Sequence, residues 1–226
     1  MRETFERELR QLEDELLDLG SRVEAAILES VEALRQRDFE ISARLVAQDD
    51  VLNELRFTIE GAALILIATQ QPMAGDLRTI AAVLEIATEL ERIGDYAKGI
   101  GRITLMIADE PLVKPLIDIP IMARIAANML HQALDAFIRR DVVLARSIPK
   151  DDAEVDRLYD QVYRDLLGHI VDDPQTIDRA THLLWVAHNL ERAADRVTNI
   201  CERVVFTVTG EMVELDEGEG VTDLAG

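Results

Sequence analysis

Rings, thiols, basic side chains and long apolar runs are all scarce in this chain, and each scarcity excludes something. Aromatic residues make up 4% of the sequence against 48% hydrophobic residues. A core of Leu, Ile, Val and Ala with few rings is the material of packed helices. Cys201 is the only cysteine, which rules out an intramolecular disulfide and a Cys-rich zinc site. Lys and Arg number 24 against 44 Asp and Glu, a net charge of −20. Such a surface repels nucleic-acid phosphates and anionic membrane leaflets, so neither is expected as a partner. It suits cations or a basic protein instead. The longest purely apolar run, Ala62 to Ala68, falls far below the roughly 20 residues of a membrane span. The first residues, Met-Arg-Glu-Thr-Phe-Glu-Arg-Glu, are charged, helical in pattern and lack a signal-peptide core. The expectation is a soluble, cytoplasmic protein with no direct membrane insertion. Its 226 residues suffice for one large domain or two small ones.

Proline punctuates the chain, and the six prolines read as falling between helical stretches. Because proline breaks helix interiors, helices are expected at about 3–36, 39–70, 76–108, 120–140, 150–171 and 175–209. Pro72 divides one long periodic segment from the next; Pro149 and Pro174 divide the second half. Pro111, Pro115 and Pro120 read as a stiff linker. The expected organisation is a three-helix unit over 1–110, a linker over 111–119, a second three-helix unit over 120–210, and an acidic tail over 211–226 that frays.

The halves are related in sequence. Leu90, Glu91, Arg92, Asp95 and Ile100 recur as Leu190, Glu191, Arg192, Asp195 and Ile200. Upstream, Leu84 and Ala87 recur as Leu184 and Ala187. Glu32-Ala33-Leu34 before Asp38 resembles Asp135-Ala136-Phe137 before Asp141, and Asp49-x-x-Leu52-Asn53-x-Leu55 matches Asp152-x-x-Val155-Asp156-x-Leu158. An ordered series across three helices points to duplication of a three-helix unit. The fold class is therefore all-α: two tandem antiparallel three-helix bundles related by an internal pseudo-twofold.

Glu91 and Asp95 stand four residues apart, neighbours on one helix face where like charges repel by a few tenths of a kcal/mol. Leu84, Leu77 and Ile80 share that stripe, so the pair sits on or beside a packed surface. In an antiparallel hairpin turning at Pro72, Asp49 and Asp95 are each 23 positions from the turn, and Asn53 and Glu91 each 19. Around Pro174, Asp152 and Asp156 lie 22 and 18 positions before, and Asp195 and Glu191 21 and 17 after. Asp49, Asn53, Glu91 and Asp95 thus form one candidate group, and Asp152, Asp156, Glu191 and Asp195 the other. Several carboxylates at close quarters call for cations. An all-oxygen donor set favours Mg²⁺, Ca²⁺, Mn²⁺ or iron, with zinc possible. The competing reading is a salt-bridged scaffold in which Arg92 and Arg192 neutralise the acids from other helices. His188, three residues before Glu191, is either an added nitrogen ligand or an ordinary structural histidine.

Enzyme chemistry finds no support in the sequence. The four histidines are preceded at three residues by Asn128, Leu166, Arg179 and Trp185, so the Glu-x-x-His motif of di-iron bundles is missing. There is no phosphate-binding Gly-Lys loop, no Gly-x-Ser-x-Gly turn and no nucleophilic-cysteine context.

Gln70-Gln71-Pro72-Met73-Ala74-Gly75-Asp76-Leu77-Arg78, followed by Leu90-Glu91-Arg92-Ile93-Gly94-Asp95-Tyr96-Ala97, closely resembles the hairpin signature of PhoU proteins. The second copy, Leu190-Glu191-Arg192-Ala193-Ala194-Asp195 with Asn199-Ile200-Cys201-Glu202 and then Thr207-Val208-Thr209-Gly210-Glu211, resembles that family's last helix. The match spans about residues 1–212. The resemblance implies two PhoU bundles, acidic Glu/Asp-x-x-x-Asp motifs able to hold multinuclear metal clusters, and a non-enzymatic regulator. Such a regulator restrains the phosphate-starvation response between the phosphate ABC transporter, with its ATPase, and a sensor histidine kinase. It also implies a homodimer. Three departures stand out. Asn53 replaces an acid; Gly99 and Arg102 stand where the second copy has Asn199 and Glu202; Ala193-Ala194 replace Ile-Gly. The second group is therefore expected to be the better metal site. A metal-free helical adaptor is the alternative.

Overall fold

The computed structural model describes residues 2–108 and 110–215, and among them the regular structure is helical, with no strand. The chain runs through α1 (Arg2–Gln36), α2 (Phe39–Gln70), α3 (Ala74–Ile107), α4 (Asp118–Arg139), α5 (Val142–Ser147), α6 (Asp152–Asp172) and α7 (Ile177–Thr209). Short 3-10 turns at Ile148–Asp151 and Pro174–Thr176 precede α6 and α7.

The duplication is legible in hydrogen bonds. Helix α1 stops where Arg37 enters the left-handed region at φ 58°, and the Asp38 N–H donates back to the Ala33 carbonyl at 2.8 Å. Asp38 then caps α2, its Oδ1 accepting from Ile41 N–H at 2.9 Å. The same two devices end α4 and start α5. Arg140 has φ 57°, Asp141 N–H donates to the Ala136 carbonyl at 2.9 Å, and Asp141 Oδ1 accepts from Leu144 N–H at 2.9 Å. A helix stop with an αL residue followed by an Asp cap is encoded locally, and the chain uses it twice in equivalent places.

The helix expected at 150–171 is α6, and the stretch before it, to which no element was assigned, forms the short helix α5 and a 3-10 turn at Ile148–Asp151 that holds Pro149, a residue without an N–H. Two expectations need correcting. Pro120 lies inside α4 rather than between helices, because α4 starts at Asp118. The first turn of a helix tolerates proline, having N–H groups with no intrahelical partner in any case. The start of the acidic tail also does not fray. Val213 and Leu215 pack on the core, and the Leu215 N–H donates to Glu202 Oε1 at 3.0 Å. The rest of the expected tail, 216–226, lies outside the described residues.

Helix α2 buries Leu45, Asp49, Leu52, Ile59, Ala63 and Leu66, a spacing of three, four and seven residues that lays one narrow seam on the hairpin partner α3. Helices α3 and α7 are central and buried on more than one side. They pack antiparallel on each other: Glu85 meets Arg203 at 2.9 Å, and Asn199 Nδ2 donates to Glu89 Oε2 at 3.3 Å. A Cβ on Gly99 would come within 3.0 Å of Asn189 Nδ2. Equivalent residues of the two repeats thus exchange places across the α3–α7 contact, as a pseudo-twofold requires. Helices α1 and α4 also run antiparallel, with Glu13 meeting Arg140 and Glu24 meeting His131. One continuous hydrophobic core joins both repeats. That leaves the α2–α3 and α6–α7 hairpin flanks, with their acids, on the outside.

Candidate functional site

Of the first group, Asp49 and Asp95 come level across α2 and α3. Asp49 on α2 is buried, with its side chain 7% exposed, and Asp95 stands across from it on α3. Both touch one ammonium: Lys98 Nζ donates to Asp49 Oδ2 and lies 3.3 Å from Asp95 Oδ1. Asn53 Nδ2 donates to Asp49 Oδ2 at 3.2 Å. The burial of Glu91 and the nearby charges of Asp95 and Asp49 push its carboxyl upward, against the opposing pull of Arg56 and Arg92. The hydrogen bond to Asp49 holds the Lys98 ammonium above its ordinary range. Three carboxylates therefore share their surroundings with Lys98, which touches two of them, and with Arg56, whose own ion-pair partner is Glu60 at 2.7 Å.

The second group is arranged on α6 and α7. Asp152, Asp156 and Asp195 line one hollow of about 240 Å³ together with Pro149, Ala153, Thr198 and Leu215. Glu191 stands beside it, its Oε2 buried and without a hydrogen bond; His188 Nδ1 is 3.3 Å away, in ion-pair range but not aligned. Burial first, then the charges of Asp195 and Asp156, raise Glu191 to about 7 despite the opposing charge of Arg192. The Tyr159 phenol is also pushed up, by burial and the Glu191 charge.

Arg92 and Arg192 do not reach other helices to quench the acids. Arg92 pairs with Glu89 at 2.7 Å and Arg192 with Asp195 at 2.8 Å, each three residues away on its own helix. The Glu91 stripe is a boundary rather than a packed face, since Ile80 is buried but Leu77 is exposed. Among the described residues, no three His, Cys, Asp or Glu side chains converge closely enough to hold a metal ion as they stand. The donor chemistry of the second group nevertheless fits a hard cation: three carboxylates line the hollow, Glu191 stands near them, and the cation paired with them among the described residues is Arg192.

Sequence reasoning overlooked Lys98 and Arg56. Laying one copy on the other would have found them, because Lys98 and Arg56 correspond to Thr198 and Tyr159. The second flank has neutral side chains where the first has charged ones.

The family model described as PhoU domain matches residues 16–104 and again 119–204. The phosphate-specific transport system accessory protein PhoU homolog of Clostridium acetobutylicum is 34% identical over 217 residues, 96% of this chain and 99% of its own. The protein of the same description from Caulobacter vibrioides is 38% identical over 209 residues, 92% of this chain and 91% of its own. The crystal structure of PhoU from Pseudomonas aeruginosa aligns with a TM-score of 0.87 at 32% identity, covering 92% of this chain and all of that one.

Proposed function

The chain belongs to the PhoU family, and we propose on that premise that it is a non-enzymatic accessory protein of a phosphate-specific transport system. In this reading it restrains the phosphate-starvation response by linking the phosphate ABC transporter's ATPase to a sensor histidine kinase. The observation that carries the reading is likeness over nearly the full length of both chains, both repeats included. Among the described residues no helix is long and apolar enough to cross a membrane. Deleting the gene should switch on a phosphate-starvation reporter in phosphate-rich medium. From phosphate-replete cells the tagged protein should co-purify with the ATPase and the kinase. A reporter that stays silent after deletion refutes the restraint. The proposed working form is a homodimer, supported by Leu64 and Ile65 on α2, which are 60% and 65% exposed. Light scattering at micromolar concentration should give twice the mass of one chain.

The proposed cation site is the second group. Asp152, Asp156, Glu191 and Asp195 would hold a hard divalent or iron-type ion, which would lift the mutual repulsion of four carboxylates and tie α6 to α7. The metal-free adaptor is favoured by one observation, the lack of three converging ligands. Metal analysis of purified protein separates the two. So does thermal unfolding with and without chelator: an unchanged midpoint leaves the adaptor.

A further inference from the structure

The two acidic groups differ in what balances them. Asp49 is almost sealed from water, with its side chain 7% exposed, and a carboxylate there needs a positive partner. The partner is already present. The Lys98 side chain is 18% exposed, and its ammonium bridges α2 and α3 through Asp49 and Asp95. Arg56, itself paired with Glu60 at 2.7 Å, adds a weaker positive influence on Glu91. At the matching places of the second repeat stand Tyr159 and Thr198, and the Thr198 hydroxyl is buried without a hydrogen-bond partner. On the first flank an entering divalent ion would meet three carboxylates with Lys98 already bonded to two of them, and with Arg56 and Arg92 nearby. On the second flank the described residues offer four carboxylates and Arg192.

We infer that Lys98 is the resident counter-ion of the first acidic group, so that Asp49, Glu91 and Asp95 take no metal ion and form a permanent ionic brace. The duplicated motif has divided its labour: one flank is closed by a side chain, and the other is left to an external cation. The second half of that statement rests on the cation reading given above; the first half does not.

Binding of Mn²⁺ to the full-length chain, counted from the free Mn²⁺ electron-spin signal, tests the inference. A second-flank variant carrying Asp156→Asn, Glu191→Gln and Asp195→Asn, with Lys98 intact, should take up no Mn²⁺. Adding Lys98→Thr to that variant should create one site per chain. It should also lower the unfolding midpoint in chelator and let Mn²⁺ restore it. In the unaltered chain, Asp49→Asn with Asp95→Asn should leave the Mn²⁺ count unchanged, which tests the claim even if Lys98→Thr does not fold. Thr198→Lys should remove the Mn²⁺ site of the unaltered chain by supplying the same counter-ion. The inference is overturned if the second-flank variant binds Mn²⁺ while Lys98 is present, if Asp49→Asn with Asp95→Asn lowers the count, or if folded Lys98→Thr gains no site. If the unaltered chain binds no Mn²⁺ but Lys98→Thr binds one, the cation reading of the second flank fails and the role of Lys98 stands.

Discussion

Replacing Glu191 with Gln removes a carboxylate that the fold holds at about 7 instead of its ordinary 4.5. Below pH 4.5 the acid is protonated in both folded and unfolded chains, and the shift has no effect. Between 4.5 and 7 the unfolded chain releases the proton and the folded one keeps it. Each step up in pH therefore favours unfolding, and the full cost is reached above 7. At ~1.36 kcal/mol per unit, the rise corresponds to about 3 kcal/mol. Screening by the water that reaches this 21% exposed side chain brings it to about 1–2 kcal/mol. In chelator at pH 8, Glu191→Gln should accordingly unfold roughly 3–6 °C higher than the unaltered chain, and at pH 4.5 the two should coincide. With Mn²⁺ about 100-fold above its dissociation constant, the unaltered chain gains ~2.7 kcal/mol. The variant gains less, so the order of the two midpoints should reverse. Scanning calorimetry across pH, with and without Mn²⁺, reads all of this. A variant that is no more stable at pH 8 in chelator, or equally offset at both pH values, refutes the assignment of an electrostatic cost to Glu191.

The twin caps should behave alike: Asp38→Ala and Asp141→Ala each lose about 1 kcal/mol in urea unfolding, and unequal losses would show that the copies no longer share the device. Gly101 faces the Ser42 carbonyl, which a Cβ would approach to 3.2 Å, so Gly101→Leu should cost about 1–3 kcal/mol by overpacking. Gly168→Ala in α6 meets nothing within 4 Å and should instead gain about 0.5–1 kcal/mol of helix propensity. Cys201 is fully buried and burial pushes its thiol up to about 12, so labelling by a thiol reagent should proceed only as fast as the chain unfolds. Rapid labelling of folded protein would contradict its place in the core.

The level at which acids face each other was readable from counting, because an antiparallel hairpin of regular helices keeps residues equidistant from its turn at one height. Asp49 and Asp95 share one ammonium for that reason. Asp38 and Asp141 were legible as matching positions of the repeat but not as the helix caps they form. What escaped depends on competition between partners. Arg92 had several acids within reach, and only the packed arrangement decides that it takes Glu89. Lys98 escaped because it sits one turn beyond the acidic motif and draws its meaning from α2, a helix 49 residues away in sequence. The break at Pro149 was visible as a proline, but the short helix α5 and the 3-10 turn ahead of α6 were not.

The contact between α3 and α7 has a consequence for origin. Its geometry is that of an isologous interface, the kind two identical subunits make about a symmetry axis, with Glu89 paired to Asn199 and Gly99 to Asn189. A single repeat would leave the inner face of its α3 bare, since the core is shared. An ancestor half this length would therefore have needed a second copy to cover that face, with residue 94 of one subunit level with residue 94 of the other, as the pairs Glu85–Arg203, Glu89–Asn199 and Gly99–Asn189 imply. With both copies in one chain, the residues level at that axis, Gly94 and Ala194, no longer need to be identical. The same release from identity is what allowed one acidic flank to acquire a lysine while the other did not.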